Sequence, residues 1–194
     1  MKITPLITHL RDHCPTLGNR IAAAVDLAAL QADASLQLPC AFVVSIADTT
    51  GVNLAQNVTR QIVRDRFDIV LGLDSTDASK ALDLLHDLRA ELWRALVGFR
   101  PGDHYSSIAY DGGELASASA SRALYRLRFF AEFQLGRNRA TDAAESWQER
   151  EMDALSSFTG MTVRVDAIDP ADPNLQRPGP DGRLELTFSG DVTP

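Results

Sequence analysis

The histidines and cysteines are the side chains of this sequence with the widest chemical range. His9 and His13 stand four residues apart on a predicted helix, which is the spacing of two metal ligands on one helical face. No H-E-x-x-H pattern surrounds them and no third ligand is evident, so we predict two polar residues on a solvated face and no metal. Cys14 ends that helix and Cys40 opens an apolar strand, and both are typical of small buried side chains.

Nucleophilic catalysis needs a different arrangement, in which a nucleophile and a base meet in space. A Cys–His pair of this kind stays open as an alternative, because such residues need not be neighbours in sequence. The sequence has no G-x-S-x-G motif, no C-x-x-C motif and no glycine-rich phosphate loop. We therefore predict no catalytic residues and no cofactor, with a small Cys/His enzyme as the minor alternative.

Charged side chains form two clusters of opposite sign. Four arginines lie in pairs on the polar faces of two predicted strands: Arg64, Arg66, Arg126 and Arg128. Three carboxylates share the polar face of one predicted helix: Asp83, Asp87 and Glu91. Each cluster is typical of a solvated face. The alternative is that the arginines contact an acidic partner surface, and another copy of this chain could supply it.

An alternating strand and the helix after it position most of these charges. Within Gln61–Leu73 five odd positions are apolar and three even positions are charged, which predicts a strand with one covered face. The apolar residues are Val63, Phe67, Ile69, Leu71 and Leu73, and the charged residues are Arg64, Arg66 and Asp68. The helix from Ala78 to Phe99 is apolar on one half of its wheel and stops at Arg100-Pro101. Arg89 lies inside the apolar arc, where it either extends over the core or faces another subunit.

The remaining pattern predicts further helices and strands on both sides of this pair. Before it we expect a helix over Pro5–Cys14, capped by Thr4, and then a strand near Ile21–Val25. A short helix near Leu27–Gln31 and a buried strand over Cys40–Ala47 should follow. After it we expect a hairpin that turns at Asp111-Gly112-Gly113 and then a half-buried strand over Leu124–Gly136. A helix should follow from Asp142 to Phe158, with a capping box formed by Asp142 and Glu145. The last elements should be strands over Met161–Ile168 and Leu184–Phe188, separated by an exposed proline-rich loop over Asp169–Arg183.

Length and charge restrict the class of protein. A chain of 194 residues is typical of one domain, and it is long enough to bury a core without disulfides or metals. No apolar run is long enough for a membrane span, and the first residues are too polar for a secretory signal. The net charge of −7 is unlike that of a protein that grips nucleic acid through a basic surface.

Several segments, taken in order, resemble one known family. They are C-P-T-L-G after the first helix, V-D-L-A-A-L, L-P-C-A-F-V-V, L-H-D-L-R-A-E-L-W-R-A-L-V-G-F-R-P and Y-D-G-G-E-L, followed by an aromatic strand. Together they resemble the tail terminator proteins of long-tailed bacteriophages and prophages. The resemblance covers Ile3 to Arg137 and consists of core and turn residues without an active-site signature.

The resemblance implies a fold and an assembly. The fold would be α+β, with a mixed, largely antiparallel sheet flanked by helices in residues 1–139, and residues 140–194 would form an extension packed on this core or on a neighbouring subunit. Six copies would form a ring that caps the tail tube, ends its polymerisation and joins the tail to the head. The partners would then be the chain itself, the tail tube protein and a head-completion or neck protein. DNA would pass through the ring without specific binding, and no membrane would be involved.

The same resemblance implies a location in the virion, after assembly in the bacterial cytoplasm. A ring requires one patch of each copy to meet a different patch of the next. We expect the four arginines to supply one patch, the three carboxylates the other, and Arg89 a further contact. Another ring protein of the head–tail junction, or a binding module outside any virus, stays open as an alternative.

Overall fold

The computed structural model describes residues 1–33, 35–139, 141–156, 158–165 and 186–191. Contacts divide the chain into two compact units, Met1–Arg150 and Glu151–Pro194, here called the core unit and the C-terminal unit. The predicted loop over Asp169–Arg183 lies outside the described residues. The division of roles between residues 1–139 and 140–194 stays a prediction.

Helices and strands alternate irregularly along the described chain. The helices are α1 Ile3–His13, α2 Leu27–Ala32, α3 Ala78–Leu96 and α4 Trp147–Asp153, with a short 3-10 turn at Gly18–Arg20. The strands are β1 Ile21–Ala24, β2 Cys40–Ser45, β3 Thr49–Thr50, β4 Gln61–Asp74, β5 Ala109–Ala118, β6 Arg122–Leu135, β7 Gly160–Val165 and β8 Leu186–Asp191.

One sheet organises the core unit. Its strand order is β1-β2-β4-β6-β5, with β3 paired to β4. β1 and β2 run parallel, whereas the pairs β2–β4, β4–β6 and β6–β5 are antiparallel. The predicted α+β class, with a mixed and largely antiparallel sheet flanked by helices, is therefore confirmed. β4 and β6 pair over fourteen residues each, which makes them the backbone of the sheet.

The core lies between one face of this sheet and the helices α1 and α3. Leu6 and Leu10 of α1 and Leu88 and Leu92 of α3 are buried there, against Phe129 and its neighbours on the sheet. The apolar faces predicted for β4 and α3 thus lie largely in this core, but Leu82 of the predicted apolar face is exposed, and Asp68 and Glu91 of the predicted polar faces are buried. The opposite sheet face is partly covered as well: Leu30 of α2 packs in a second small cluster with Val44, Val70 and Leu124.

The hairpin predicted at Asp111-Gly112-Gly113 is wrong. These residues lie within the single strand β5, where Tyr110 pairs with Phe129 and Gly113 with Leu127, so that the register shifts between the two pairs. This is a β-bulge, and Gly112 accommodates it with a φ of +105° that other residues rarely adopt. Glycine next to aspartate is typical of tight turns and of bulges alike, so the local sequence did not separate them. The chain turns later, between β5 and β6.

The predicted limits of three helices also need correction. α1 begins at Ile3, its N-cap is Lys2, and no side chain caps it, so Thr4 is not the cap. α3 ends at Leu96 because the backbone of Val97 turns extended, with ψ of 120°, before Arg100-Pro101 is reached. α4 begins at Trp147, well after Asp142, and ends at Asp153, before the predicted end at Phe158. Asp77 is the N-cap of α3, and its carboxylate accepts from the N–H groups of Ser79 and Lys80.

The capping box of α4 involves other residues than predicted. The N–H of Ser146 donates to Glu149 Oε2 at 3.0 Å, and the N–H of Glu149 donates to Ser146 Oγ at 3.4 Å. This is the reciprocal S-x-x-E arrangement. The prediction instead matched Asp142 with Glu145 three residues later, because that pair has the same spacing and stands closer to the preceding strand.

The C-terminal unit contains a two-stranded antiparallel ribbon. Met161 pairs with Gly190, Thr162 with Ser189 and Val163 with Phe188. The expected strands over Met161–Ile168 and Leu184–Phe188 are therefore present in their described parts, and they pair with each other. Within the described residues this ribbon forms a sheet of its own.

Candidate functional site

The four predicted arginines come together on one sheet face. In the β4–β6 ladder Arg64 stands opposite Glu132, Asp68 opposite Arg128 and Val70 opposite Arg126. Residues directly opposite in an antiparallel pair point to the same face. That face is the one turned away from α1 and α3. The sequence predicted the alternation correctly, and the strand pairing then joins the two arginine pairs into one cluster.

Carboxylates of the same face neutralise much of this cluster. Glu114 of β5 accepts from Arg128 Nη2 at 2.7 Å and also from Arg126. Hydrogen bonds from the two guanidinium groups lower the pKa of Glu114. Arg64 pairs with Glu132 at 2.7 Å, and its guanidinium lies 4.2 Å from the ring centre of Phe130. The patch offered to a partner is therefore less basic than four arginines suggest.

Asp68 is the least expected member of the cluster. Its position in β4 predicts a solvated carboxylate, yet the residue is 3% exposed. Among the described residues its Oδ1 has no hydrogen-bond partner, and its Oδ2 lies 3.6 Å from Arg126 Nε. Burial raises the pKa of Asp68 to about 6, although Arg126 and Arg128 act in the opposite direction.

A small cavity opens beside this carboxylate. Its volume is about 250 Å³, and it is lined by Ile46, Arg66, Asp68, Asp111, Arg126, Arg128 and Phe129. Arg66 Nε is buried with no hydrogen-bond partner among the described residues. Sequence reasoning selected three of these arginines but missed Asp68 and Glu114, because neither residue stands out by type or spacing. The signal that could have found Glu114 is the strand order, which places β5 beside β6.

The predicted acidic row is divided by the fold. Asp83 and Asp87 are exposed on α3, as expected for the polar half of the helix. Glu91 is buried, and its Oε1 accepts from the N–H of Thr16 at 3.2 Å. Glu91 therefore holds the turn after α1 in the core unit, so it is not exposed on the surface of the single chain.

Apolar side chains along α3 and the outer strand β5 are exposed or only partly buried. They are Leu82 and Trp93 on the helix, Val97 directly after it, and Tyr110 and Leu115 on the strand, and together they are here called the α3–β5 surface. Leu82, Val97 and Leu115 are exposed, and Tyr110 packs edge-on against Trp93 with ring centres 5.2 Å apart.

Arg89 belongs to the same stripe of α3. Its guanidinium lies 4.9 Å from the ring centre of Trp93, which is cation–π distance. Among the described residues Arg89 Nε and Trp93 Nε1 are buried without a hydrogen-bond partner. Because its head group covers an aromatic ring at the rim of an exposed surface, Arg89 is placed where a neighbouring chain could contact it.

The cysteines and histidines have structural surroundings. Cys14 and Cys40 are buried free thiols, and burial raises the pKa of both, that of Cys14 to about 12. A thiol that stays protonated is a poor nucleophile. His9 stacks on Phe99 with ring centres 3.7 Å apart, and its Nε2 lies 2.8 Å from the carbonyl oxygen of Ala95. His9 thus packs against the end of α3, where the sequence predicted a solvated side chain.

A metal site requires several ligating side chains close together. No group of three or more His, Cys, Asp or Glu side chains able to hold a metal ion occurs in the part of the chain that the structure describes. Nor does any helix described in the structure combine the length and the apolar character that crossing a bilayer would require.

Fold and surfaces together define a class: an α+β protein with an arginine–carboxylate cluster on one sheet face and exposed apolar side chains along α3 and β5. Comparison with known families assigns the chain to one of them. The family model described as phage tail terminator protein matches residues 1–141, and the chain belongs to this family. No curated protein matches the chain significantly. Family membership makes the chain a structural protein of the phage tail, located in the virion and associated with other tail and head components.

Proposed function

We propose that six copies of this chain form a ring that caps the tail tube. The ring ends polymerisation of the tube protein and joins the tail to a head-completion or neck protein. Assembly takes place in the bacterial cytoplasm before the tail becomes part of the virion. The observation that carries this proposal is the family match, which spans residues 1–141 and so includes the whole described sheet of the core unit.

The contact surfaces support a role in assembly. A closed ring needs two different patches on each copy. The sequence-based candidates for these patches are the arginine cluster and the acidic row, and both remain part of the proposal in revised form. Arg66 is the cluster member for which no carboxylate partner is described, and Asp83 and Asp87 are the exposed carboxylates of α3. Arg126 and Arg128 contribute through the Glu114 network, which keeps that face ordered.

The negative net charge of the chain is consistent with a ring whose channel lets DNA pass. Six copies of a chain with net charge −7 carry −42 before counterions are considered. A channel wall with this balance repels phosphates, so DNA passes without adhering. The internal pairing of Arg64, Arg126 and Arg128 acts in the same direction, because paired guanidinium groups are less available to phosphates.

An assembly assay tests the proposal. Light scattering of the purified chain should give a mass of about 127 kDa, six times 21.1 kDa, either alone or after elution from tail tubes. Added to polymerising tube protein, the chain should stop growth at substoichiometric amounts. Continued growth of tubes at saturating amounts of the chain would contradict the capping role. A ring that binds only the neck protein would favour the alternative of another head–tail ring.

The enzyme alternative gains no support from the geometry. It requires a reactive thiol, whereas both cysteines are buried and their pKa values are raised. Replacing Cys14 and Cys40 together by alanine should lower stability and leave ring formation and tube capping intact. Loss of capping in a variant that still folds would revive a chemical role for the thiols.

A further inference from the structure

The ribbon of the C-terminal unit has one apolar face and one polar face. Met161, Val163 and Phe188 occupy one face by register, whereas Thr162, Arg164 and Ser189 occupy the other. All three apolar side chains are exposed, Phe188 by 56%. Two strands alone do not supply enough burial for independent stability in water. An apolar face that no described residue covers therefore indicates that the ribbon packs against another surface.

The core unit carries an apolar surface of matching kind. The α3–β5 surface includes Leu82 and Leu115, which are 65% and 59% exposed. β5 ends the strand order of the described sheet, so its outer edge has no strand partner among the described residues. The part of α3 from Leu82 to its end at Leu96 is about 21 Å long at 1.5 Å per residue. A six-residue strand such as β7 is about 20 Å long, so the two apolar surfaces agree in length.

The charge of the C-terminal unit is also opposite to that of the arginines beside the α3–β5 surface. Residues 151–194 contain eight carboxylates and three arginines, a formal balance of −5 out of the −7 of the whole chain. In the C-terminal half of α3 this surface is flanked by Arg89 and the exposed Arg94, which borders Trp93, Val97 and Tyr110, whereas the exposed Asp83 and Asp87 lie nearer the start of the helix. An acidic segment and an arginine-flanked apolar surface attract each other over about a Debye length and then bury their apolar parts.

We propose that the apolar face of the β7–β8 ribbon docks on the α3–β5 surface of a second copy of this chain. Each copy carries one ribbon and one such surface, so pairing between copies uses both in equal numbers. The contact is heterologous, and closing the series into a ring leaves neither surface uncovered. This inference rests on the proposed ring. It assigns to residues beyond the matched 1–141 the task of joining neighbouring subunits.

The test compares two matched pairs of substitutions in the full chain. Val163→Asn with Phe188→Asn alters one directly opposed pair on the apolar face, and Thr162→Asn with Ser189→Asn alters the adjacent pair on the polar face. Mass is measured by light scattering and sedimentation, with the protein alone and bound to tail tubes. We expect self-association of the apolar-face variant to weaken by about tenfold or more. The polar-face variant should assemble like the wild type.

Mixing variants shows whether the contact joins two different surfaces. The variant Leu82→Asn with Leu115→Asn has a damaged α3–β5 surface and an intact ribbon, and we expect it not to form rings. Mixed with the apolar-face ribbon variant, it should form a dimer of about 42 kDa, since one intact junction remains. A mixture that stays monomeric would overturn the inference. Far-UV circular dichroism confirms that each variant is folded.

Two other results separate the inference from the proposed function. If the apolar-face variant forms rings of normal mass, the inference fails while the ring itself stands. The same holds if that variant forms rings but no longer binds tubes, because the ribbon would then contact the tube protein. If the wild-type chain stays monomeric both alone and on tubes, the proposed ring is contradicted and the inference fails with it.

Discussion

The carboxylate of Asp68 on β4 lies 3.6 Å from the Nε of Arg126 on β6, in a position that is almost completely shielded from water. Arg126 also donates to Glu114 on β5, so one guanidinium links three adjacent strands. The arrangement leaves Asp68 only partly compensated, because its second oxygen has no hydrogen-bond partner in the described residues. Stability should therefore depend on the protonation of this single group.

The first prediction concerns pH. Burial raises the folded-state pKa of Asp68 to about 6, above its ordinary value of 3.8, so between these values the folded state binds more protons than the unfolded state. The free energy of unfolding contributed by this group thus falls as pH rises from about 4 to 6. Asp68→Asn removes the effect. We expect the free energy of unfolding of the variant to equal that of the wild type near pH 4 and to be larger by about 1–3 kcal/mol at pH 8.

Urea unfolding at pH 4, 6 and 8 measures this difference. Asp83→Asn, which changes an exposed carboxylate of α3, serves as the control and should show no comparable trend. A wild-type chain that is more stable than Asp68→Asn at pH 8 would mean that the ion pair with Arg126 outweighs the cost of burial.

The second prediction concerns Gly136, which follows β6. Its φ is +99°, and a Cβ at this position would lie 1.9 Å from the carbonyl oxygen of Thr59. The backbone must therefore move to admit any side chain. Gly136→Ala should lower the free energy of unfolding by about 2–4 kcal/mol, from the combined strain of the dihedral and the overlap.

Gly112→Ala is the matched control for backbone strain alone. Gly112 has a similar φ of +105°, but a Cβ added there would have no neighbouring atom within 4 Å among the described residues. Gly112→Ala should therefore lower the free energy of unfolding by only about 1 kcal/mol. Equal losses for the two variants in chemical denaturation would show that the contact with Thr59 is unimportant.

The third prediction concerns acid stability. Burial alone would raise the pKa of Glu149, but N–H donors of Arg137, Glu145 and Ser146 lower it to about 2. This stabilisation is present above about pH 4.5 and is lost as pH falls towards 2. Glu149→Gln should lower the Tm by several degrees at pH 7 and by little near pH 2.

Thermal unfolding followed by circular dichroism across this range checks the acid prediction. Asp87→Asn, which changes an exposed carboxylate of α3, provides the comparison and should leave the profile unchanged. A Tm deficit in Glu149→Gln that persists undiminished at pH 2 would indicate that the substitution disturbs packing instead of removing a charge.

The fourth prediction concerns DNA. The wild-type chain should not shift duplex DNA in a gel at micromolar protein and ~150 mM salt, because its balance is acidic and several arginines are internally paired. Glu114→Gln frees Arg126 and Arg128 from their shared carboxylate and should bind DNA more strongly than the wild type at low salt. A wild-type shift at ~150 mM salt would contradict a passive channel.

The sequence predicted the β4–α3 pair well because long periodic patterns leave little ambiguity. Period-two alternation in Gln61–Asp74 and the apolar half of Ala78–Leu96 each extend over several turns or pleats, and both elements form at nearly the predicted positions. The family resemblance, from Ile3 to Arg137, also agrees closely with the matched residues 1–141.

Short-range signals were less reliable, since one motif serves several structures. Asp111-Gly112-Gly113 fits a turn and a bulge, and the two acidic spacings around residues 142–149 fit two capping boxes. The buried state of Asp68 could not be read from alternation, because α2 and β5 help to enclose the supposedly solvated face of the sheet. The burial of Glu91 was not predicted either, since its hydrogen-bond partner Thr16 is distant in sequence.

Imaging of intact virions and of tube-bound protein tests the central claim most directly. Electron microscopy with a label on this chain should place a single ring of six copies at the end of the tail tube that meets the head. Absence of the label from that end, or its distribution along the tube, would contradict the account.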